Sequence, residues 1–140
     1  NDIASDLGLF PKVLLQVNNA DESSKHGFTK DGIYESIDEL LKLERLEIEG
    51  LMVIPPFDPD PEKVRPYFVN LRNLRDELEE MSGVKLPTLS MGMSNDFEVA
   101  IEEGATSVRV GSSIFGKRIY KKRLQYFNYC RSWQRRFCSK

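Results

Sequence analysis

Histidine occurs once in this chain, at His26, and cysteine only twice, at Cys130 and Cys138. With so few soft ligands, and none at metal-ligand spacing, neither a zinc site nor a disulfide scaffold is expected. Two cysteines that suggest no disulfide scaffold agree with a reducing compartment, so the expected location is the cytoplasm, with an organelle left open. No apolar run approaches the roughly 20 residues that a membrane-spanning helix needs. The first eight residues lack a basic region followed by an apolar stretch, and no signal peptide is expected. An initiating Met is also missing, which suggests a processed form or a fragment of a longer chain. His26 lies between Lys25 and Gly27 in a polar loop, the setting of a solvated residue rather than a general base, and no nucleophile–base pair is visible.

What is present suits one domain. The chain has 140 residues, 40% of them hydrophobic and 30% charged, enough for a real core. Its net charge of −2 hides an asymmetry: residues 117–140 hold nine Lys or Arg and no acid, leaving 11 basic and 22 acidic residues in the body. In the tail, Lys121-Lys122-Arg123 and the stretch from Arg131 to Arg136 alternate with Tyr126, Phe127, Tyr129, Trp133 and Phe137. Such a pattern can bind nucleic acid or an anionic membrane. A divergent end, or a terminal helix packed on the acidic body, is the simpler reading, and nucleic acid is not the expected partner. The chain divides into a body, residues 1–118, and a basic aromatic tail, residues 119–140.

The body alternates strand and helix signals. Val13 to Val17 is a short apolar run rich in strand formers. After a polar loop, Ile33, Ile37, Leu40 and Leu41 recur at helical spacing. Ile48 to Ile54 reads as a second strand that ends at Pro55-Pro56. Asp60 then serves as an N-cap with Pro61 at the first helical position. Val64, Phe68, Leu71, Leu74 and Leu78 mark one helix face, and Pro66, which lacks a donor, sets the start of the regular helix near itself. Leu86 to Met91 reads as a third strand. Ser94 or Asn95 would cap a short helix carrying Phe97, Ala100 and Ile101, and Gly104 would end it. Thr106 to Val110 is the fourth strand. This βαβαβαβ order implies parallel strands with crossover helices, hence an α/β fold. An open doubly wound sheet and an arc of a (β/α)8 barrel both satisfy it.

Two loops after strands carry the chemistry. One is Ser90-Met91-Gly92-Met93-Ser94; the other runs from Arg109 through Val110-Gly111-Ser112-Ser113 to Gly116. Glycine lets a backbone approach a ligand closely, and N–H groups opening a helix favour an anion. In (β/α)8 barrels phosphate commonly sits on the loops after the last two strands. The same residues would serve as plain turns and caps. Arg109, between Val108 and Val110, points to the face opposite theirs. If the valines face the helices, its guanidinium faces the interior and needs a partner, either a ligand or a structural acid.

Leu89-Ser90-Met91-Gly92-Met93-Ser94-Asn95-Asp96 and Val108-Arg109-Val110-Gly111-Ser112-Ser113-Ile114-Phe115-Gly116 resemble the two signature segments of the pyridoxal-phosphate homeostasis protein family. Gln16-Val17-Asn18, Glu22 to Gly27 and Gly50 to Pro55 add to the likeness, which runs from about Pro11 to Arg118. The resemblance implies the C-terminal half of a TIM-type (β/α)8 barrel with the alanine-racemase N-terminal fold, its four strands being strands five to eight. It implies pyridoxal 5'-phosphate (PLP) as cofactor. Ser90, Gly111 and Ser112 would hold the phosphate, Arg109 would face the pyridine nitrogen, and Met52 and Met91 would line the surroundings, although core packing explains either Met equally well. The family's PLP-binding lysine lies on a first strand with no counterpart here, and Lys12, Lys25 and Lys117 are poor substitutes. The implied function is non-catalytic PLP binding in intracellular PLP homeostasis, impaired by that missing lysine, with PLP-dependent apoenzymes as partners. The alternatives are a phosphate-binding barrel enzyme of another kind and a piece of a racemase-type PLP enzyme.

Overall fold

The computed structural model describes residues 1–19 and 26–116. The basic tail, both cysteines, Lys25, Lys117 and the expected boundary at residue 118 lie outside the described residues. A short helix α1 (Asp2–Asp6) leads into strand β1 (Lys12–Val17), helix α2 (Lys30–Leu41) and strand β2 (Glu47–Val53). A single 3-10 turn (Pro61–Val64) precedes helix α3 (Arg65–Ser82), strand β3 (Thr88–Met93), helix α4 (Phe97–Glu102), strand β4 (Ser107–Arg109) and helix α5 (Ser112–Phe115).

The strands pair in chain order, β1-β2-β3-β4, all parallel. One core holds them to the helices: Leu15, Val17, Leu51, Val53, Leu89 and Met91 from the strands meet Ile33, Ile37, Phe68, Leu71, Leu74, Leu78, Val99 and Ala100 from the helices. Sequential order with the helices gathered on one core is the arrangement of a barrel arc. A doubly wound sheet would reverse its strand order and use both faces. The fold is therefore four strands of a (β/α)8-type barrel with crossover helices. None of the described helices is long and apolar enough to cross a membrane.

Local chemistry explains the element ends. Thr29 caps α2 by accepting from Gly32 N at 3.1 Å, and Asp60 accepts from Glu62 N at 3.1 Å. Because Pro66 falls in the first turn of α3, where no N–H partner is needed, the regular helix opens at Arg65. The third strand is displaced by two residues from the expected Leu86–Met91. Pro87 has no N–H for a ladder, and the Leu86 N–H is taken by the Glu79 carboxylate at 2.6 Å, so pairing starts at Thr88. Neither Ser94 nor Asn95 caps α4; Asp96 stands at that position. Ile101, expected on the apolar face, is 54% exposed, while Val99 and Ala100 are buried; a six-residue helix turns only one narrow stripe inward. At Gly50 β2 approaches β3 so closely that an added Cβ would lie 1.8 Å from the Thr88 carbonyl oxygen.

Glu103, below α4, links Arg65 at 2.7 Å and Arg72 at 2.9 Å, tying α4 to α3. Its hydrogen bond from Arg65 holds the Glu103 carboxyl below its ordinary 4.5. Glu79 is also lowered, chiefly by the Leu86 N–H. A carboxyl with a depressed folded pKa adds stability above its unfolded value, lost as pH falls through the folded one. Melting temperature should therefore hold steady from neutral pH down to about 4.5 and then fall. In Glu103→Gln that acid drop should be visibly shallower in a scanning-calorimetry series, and an unchanged slope would exclude the α3–α4 link as its source.

Candidate functional site

The C-terminal ends of β2, β3 and β4 enclose a cleft of about 290 Å³ lined by Pro56, Phe57, Met93, Ser94, Asn95, Asp96, Arg109, Gly111 and Ser112. Parallel strands point all their carboxyl ends to one side, which is why loops distant in sequence meet there.

Arg109, at the end of β4, is half-buried. Its Nη1 donates to Ser90 O at 2.9 Å and to Ser90 Oγ at 2.6 Å, and its Nη2 donates to Val53 O at 2.8 Å. The guanidinium thus spans β3 and β2 from β4. Among the described residues no carboxylate forms an ion pair with it. Burial lowers its pKa, with the Asp96 charge pulling in the opposite sense; an arginine in that position stays charged at neutral pH. Among the described residues Ser90 and Val53 oxygens, rather than a paired acid, hold the guanidinium.

Ser94, expected in a chemistry-bearing loop and as a helix cap, takes a different role. Its Oγ accepts from Gly111 N at 3.1 Å and from Ser113 N at 3.2 Å. Two backbone N–H groups therefore converge on one oxygen, the donor arrangement that receives an oxyanion. Asp96 is 93% buried, at 7% relative exposure, and its Oδ1 accepts from Met93 N at 2.6 Å. Asn95 Nδ2 donates to Asp58 O at 2.9 Å, fastening the β3 loop to the turn after β2. The signal for all three was present: polar residues directly after a strand, a sequence that reads first as helix capping.

The expected site residues separate into groups. Arg109, Gly111 and Ser112 line the cleft. Ser90 is buried at 4% exposure beneath the guanidinium. Met52 stands in register with Ser90, half-buried in β2. Met91 is fully buried in the core, and its side chain is not among those lining the cleft. No lysine lines the cleft among the described residues. Lys12 opens β1, at the opposite end of the strands, held by Glu47 and Glu49. Asp58 and Asp60 serve the turn, as expected: Asp58 Oδ1 accepts from Asp60 N at 2.9 Å. No group of acids and histidines suited to a metal occurs among the described residues.

An arc of parallel strands with crossover helices, and polar donors gathered at its C-terminal mouth, defines the class of (β/α) barrels. Within it, residues 1–119 match the family model of the alanine racemase N-terminal domain, and the chain belongs to that family. It is 53% identical over 108 residues to the pyridoxal phosphate homeostasis protein of Aquifex aeolicus (strain VF5), a match covering 77% of this chain and 47% of that protein. The human protein of the same name is 40% identical over 116 residues, covering 80% and 42%. The structure of PipY from Synechococcus elongatus PCC7942 with PLP bound superposes with a TM-score of 0.74 at 34% identity, over 82% of this chain and 53% of that one. The chain spans about half the length of the relatives it matches.

Proposed function

We propose that this chain supplies the phosphate and ring-nitrogen side of a PLP site, and that it holds the cofactor rather than transforming it. The observation that carries the reading is the fixed Arg109 guanidinium beside the converging N–H groups of Gly111 and Ser113. The donor set fits the cofactor: N–H and hydroxyl groups for a phosphate dianion, a cation for an unprotonated ring nitrogen. Ser94 and Ser112 would stand at the phosphate with Gly111, and Ser90 would act by positioning Arg109. Met52 would lie beside the ring, and Met91 would support that wall from the core.

PLP supplies an electron sink when its ring nitrogen is protonated, usually opposite an acid. Arg109 disfavours that proton, so a carrier role in intracellular PLP homeostasis is favoured over racemase-type or other enzyme chemistry. With no lysine among the described residues that line the mouth, the proposed retention is weak and reversible. The proposed setting is the cytoplasm, with PLP-dependent apoenzymes as acceptors. The PLP-bound relative of 34% identity supports this reading.

The test is a titration of the 140-residue chain with PLP, pyridoxal and inorganic phosphate, followed by ligand absorbance and calorimetry. PLP should bind, phosphate should compete, and pyridoxal should bind at least tenfold more weakly, about 1.4 kcal/mol. Gly111→Ala separates ligand from fold. A Cβ there meets nothing within 4 Å, so thermal stability should stay within about 1 kcal/mol, whereas PLP affinity should fall roughly tenfold as the methyl blocks close approach. Equal affinity for pyridoxal and PLP, or an indifferent Gly111→Ala, would sink the proposal. No racemisation or transamination beyond that of free PLP is expected.

A further inference from the structure

The loop after β2 brings an aromatic residue to the cleft that the core does not use. Phe57 lines the cleft together with Pro56 and Met93, and it is 80% exposed. An exposed phenylalanine is ordinary in itself. This one stands on a braced loop. Pro55 and Pro56 precede it, and their rings restrict the backbone there. Asp58 follows it. The Asp58 carbonyl oxygen accepts from Asn95 Nδ2 at 2.9 Å, its Oδ1 accepts from Asp60 N at 2.9 Å, and its Oδ2 lies 3.7 Å from Lys63 Nζ. The loop is held on both sides of the aromatic residue, and one brace comes from the neighbour of Ser94.

The cleft therefore combines two kinds of lining. Ser94, Arg109, Gly111 and Ser112 are polar, and Ser94 is the oxygen on which Gly111 N and Ser113 N converge. Pro56, Phe57 and Met93 are apolar. Polar donors fix an anion and its orientation, whereas an apolar wall contributes only when it covers an apolar part of the ligand. Against a phenylalanine the best cover is a flat ring, because aromatic pairs attract beyond the area they bury. An inorganic anion, or a short aliphatic ester, leaves the same wall wet. A braced loop strengthens the contact, since little freedom remains to be lost on binding.

We propose that Phe57 is a specificity-determining residue: it covers the ring of a bound aromatic phosphate ester and makes the mouth prefer such esters to aliphatic phosphates. This role rests on the phosphate reading of the mouth given above, and it adds a selection that the polar groups cannot make. N–H groups and a guanidinium answer to charge, and every phosphate monoester presents the same charge to them. Only the part of the ligand beyond the phosphate distinguishes one ester from another, and Phe57 with Pro56 and Met93 is the apolar surface available to read it. The contact is with the ring itself, so it does not depend on an aldehyde or on a covalent bond to the protein.

The test is a calorimetric titration of the 140-residue chain with pyridoxine 5'-phosphate, glycerol phosphate and inorganic phosphate. Pyridoxine 5'-phosphate carries the ring without the aldehyde, so no lysine adduct contributes. The parent chain should bind it roughly tenfold or more tightly than glycerol phosphate. Phe57→Ala should remove about tenfold of that preference, the scale of one lost aromatic contact. Its melting temperature and its affinity for inorganic phosphate should match the parent's. Phe57→Trp should keep the preference. A parent without the preference, or a Phe57→Ala chain that retains it, would overturn this role and leave the phosphate reading standing. An equal loss for all three ligands in Phe57→Ala would overturn it too, because the residue would then shield the anion instead of reading the ester. A parent that binds none of the three would overturn the phosphate reading and this role together.

Discussion

Gly92→Ala is expected to remove several kcal/mol of stability, although it adds one methyl group to a loop that reads as ligand-binding. Gly92 has φ +90, a conformation that costs an L-residue about 1–2 kcal/mol. Its missing Cβ is also where the neighbouring helix packs. A methyl there would sit 2.6 Å from Ala100 Cβ and 3.0 Å from Phe97 Cα. Backbone at 3.0 Å cannot swing aside, so α4 itself must retreat, and overpacking of this kind costs about 1–3 kcal/mol more. Together these reach roughly 2–5 kcal/mol against a typical total of about 5–15. In urea the midpoint should fall by about 2 M for a slope of about 1–3 kcal/mol/M. Gly83→Ala is the control: Gly83 has φ +70 with nothing within 4 Å of the built Cβ, so it reports conformational strain alone. Equal losses in the two variants would mean that the contact with α4 contributes nothing.

The contrast between Gly92 and Gly111 shows how far sequence could reach. By sequence both glycines come after an expected strand and before an expected helix, and pattern alone treats them alike, although Gly92 proves to lie within β3. Only coordinates show that a helix fills the space beside Gly92 while open space lies beside Gly111. The strands and long helices were legible because burial repeats with their period. The five apolar positions expected on one helix face, from Val64 to Leu78, are all buried, Val64 at the end of the 3-10 turn and the other four on α3. The choice between barrel arc and doubly wound sheet was not legible from periodicity, since both use the same βα units; strand order decides it, and the family resemblance had pointed the same way. Ser94 escaped notice as an oxygen held by two N–H groups because those donors lie 17 and 19 residues away. The start of β3 was misplaced because Leu86 reads as an apolar strand residue, yet its N–H answers to Glu79, seven residues back.

Arg109 tests structure and ligand at once, and the two roles are separable. Arg109→Ala removes three donors from Ser90 O, Ser90 Oγ and Val53 O. Hydrogen bonds from a charged donor contribute about 1.5–3 kcal/mol each at most. Water entering this partly open site replaces much of that, so a net loss of about 2 kcal/mol is expected. Arg109→Lys should recover little, because one ammonium cannot reproduce a planar fork reaching both β2 and β3. Destabilisation alone would fit a purely structural residue. The distinguishing readout is the spectrum of added PLP against pH, taken well below the melting temperature. A cation near the ring nitrogen disfavours its protonation and lowers its pKa. In the parent chain the bound ligand's ring should therefore stay unprotonated to lower pH than in Arg109→Gln, and in Arg109→Glu the protonated form should persist to higher pH than in either. The expected order of midpoints is parent lowest, glutamine intermediate, glutamate highest. Coinciding midpoints in the three proteins would leave Arg109 as a strut between strands and remove the physical reason for favouring a carrier over a catalyst.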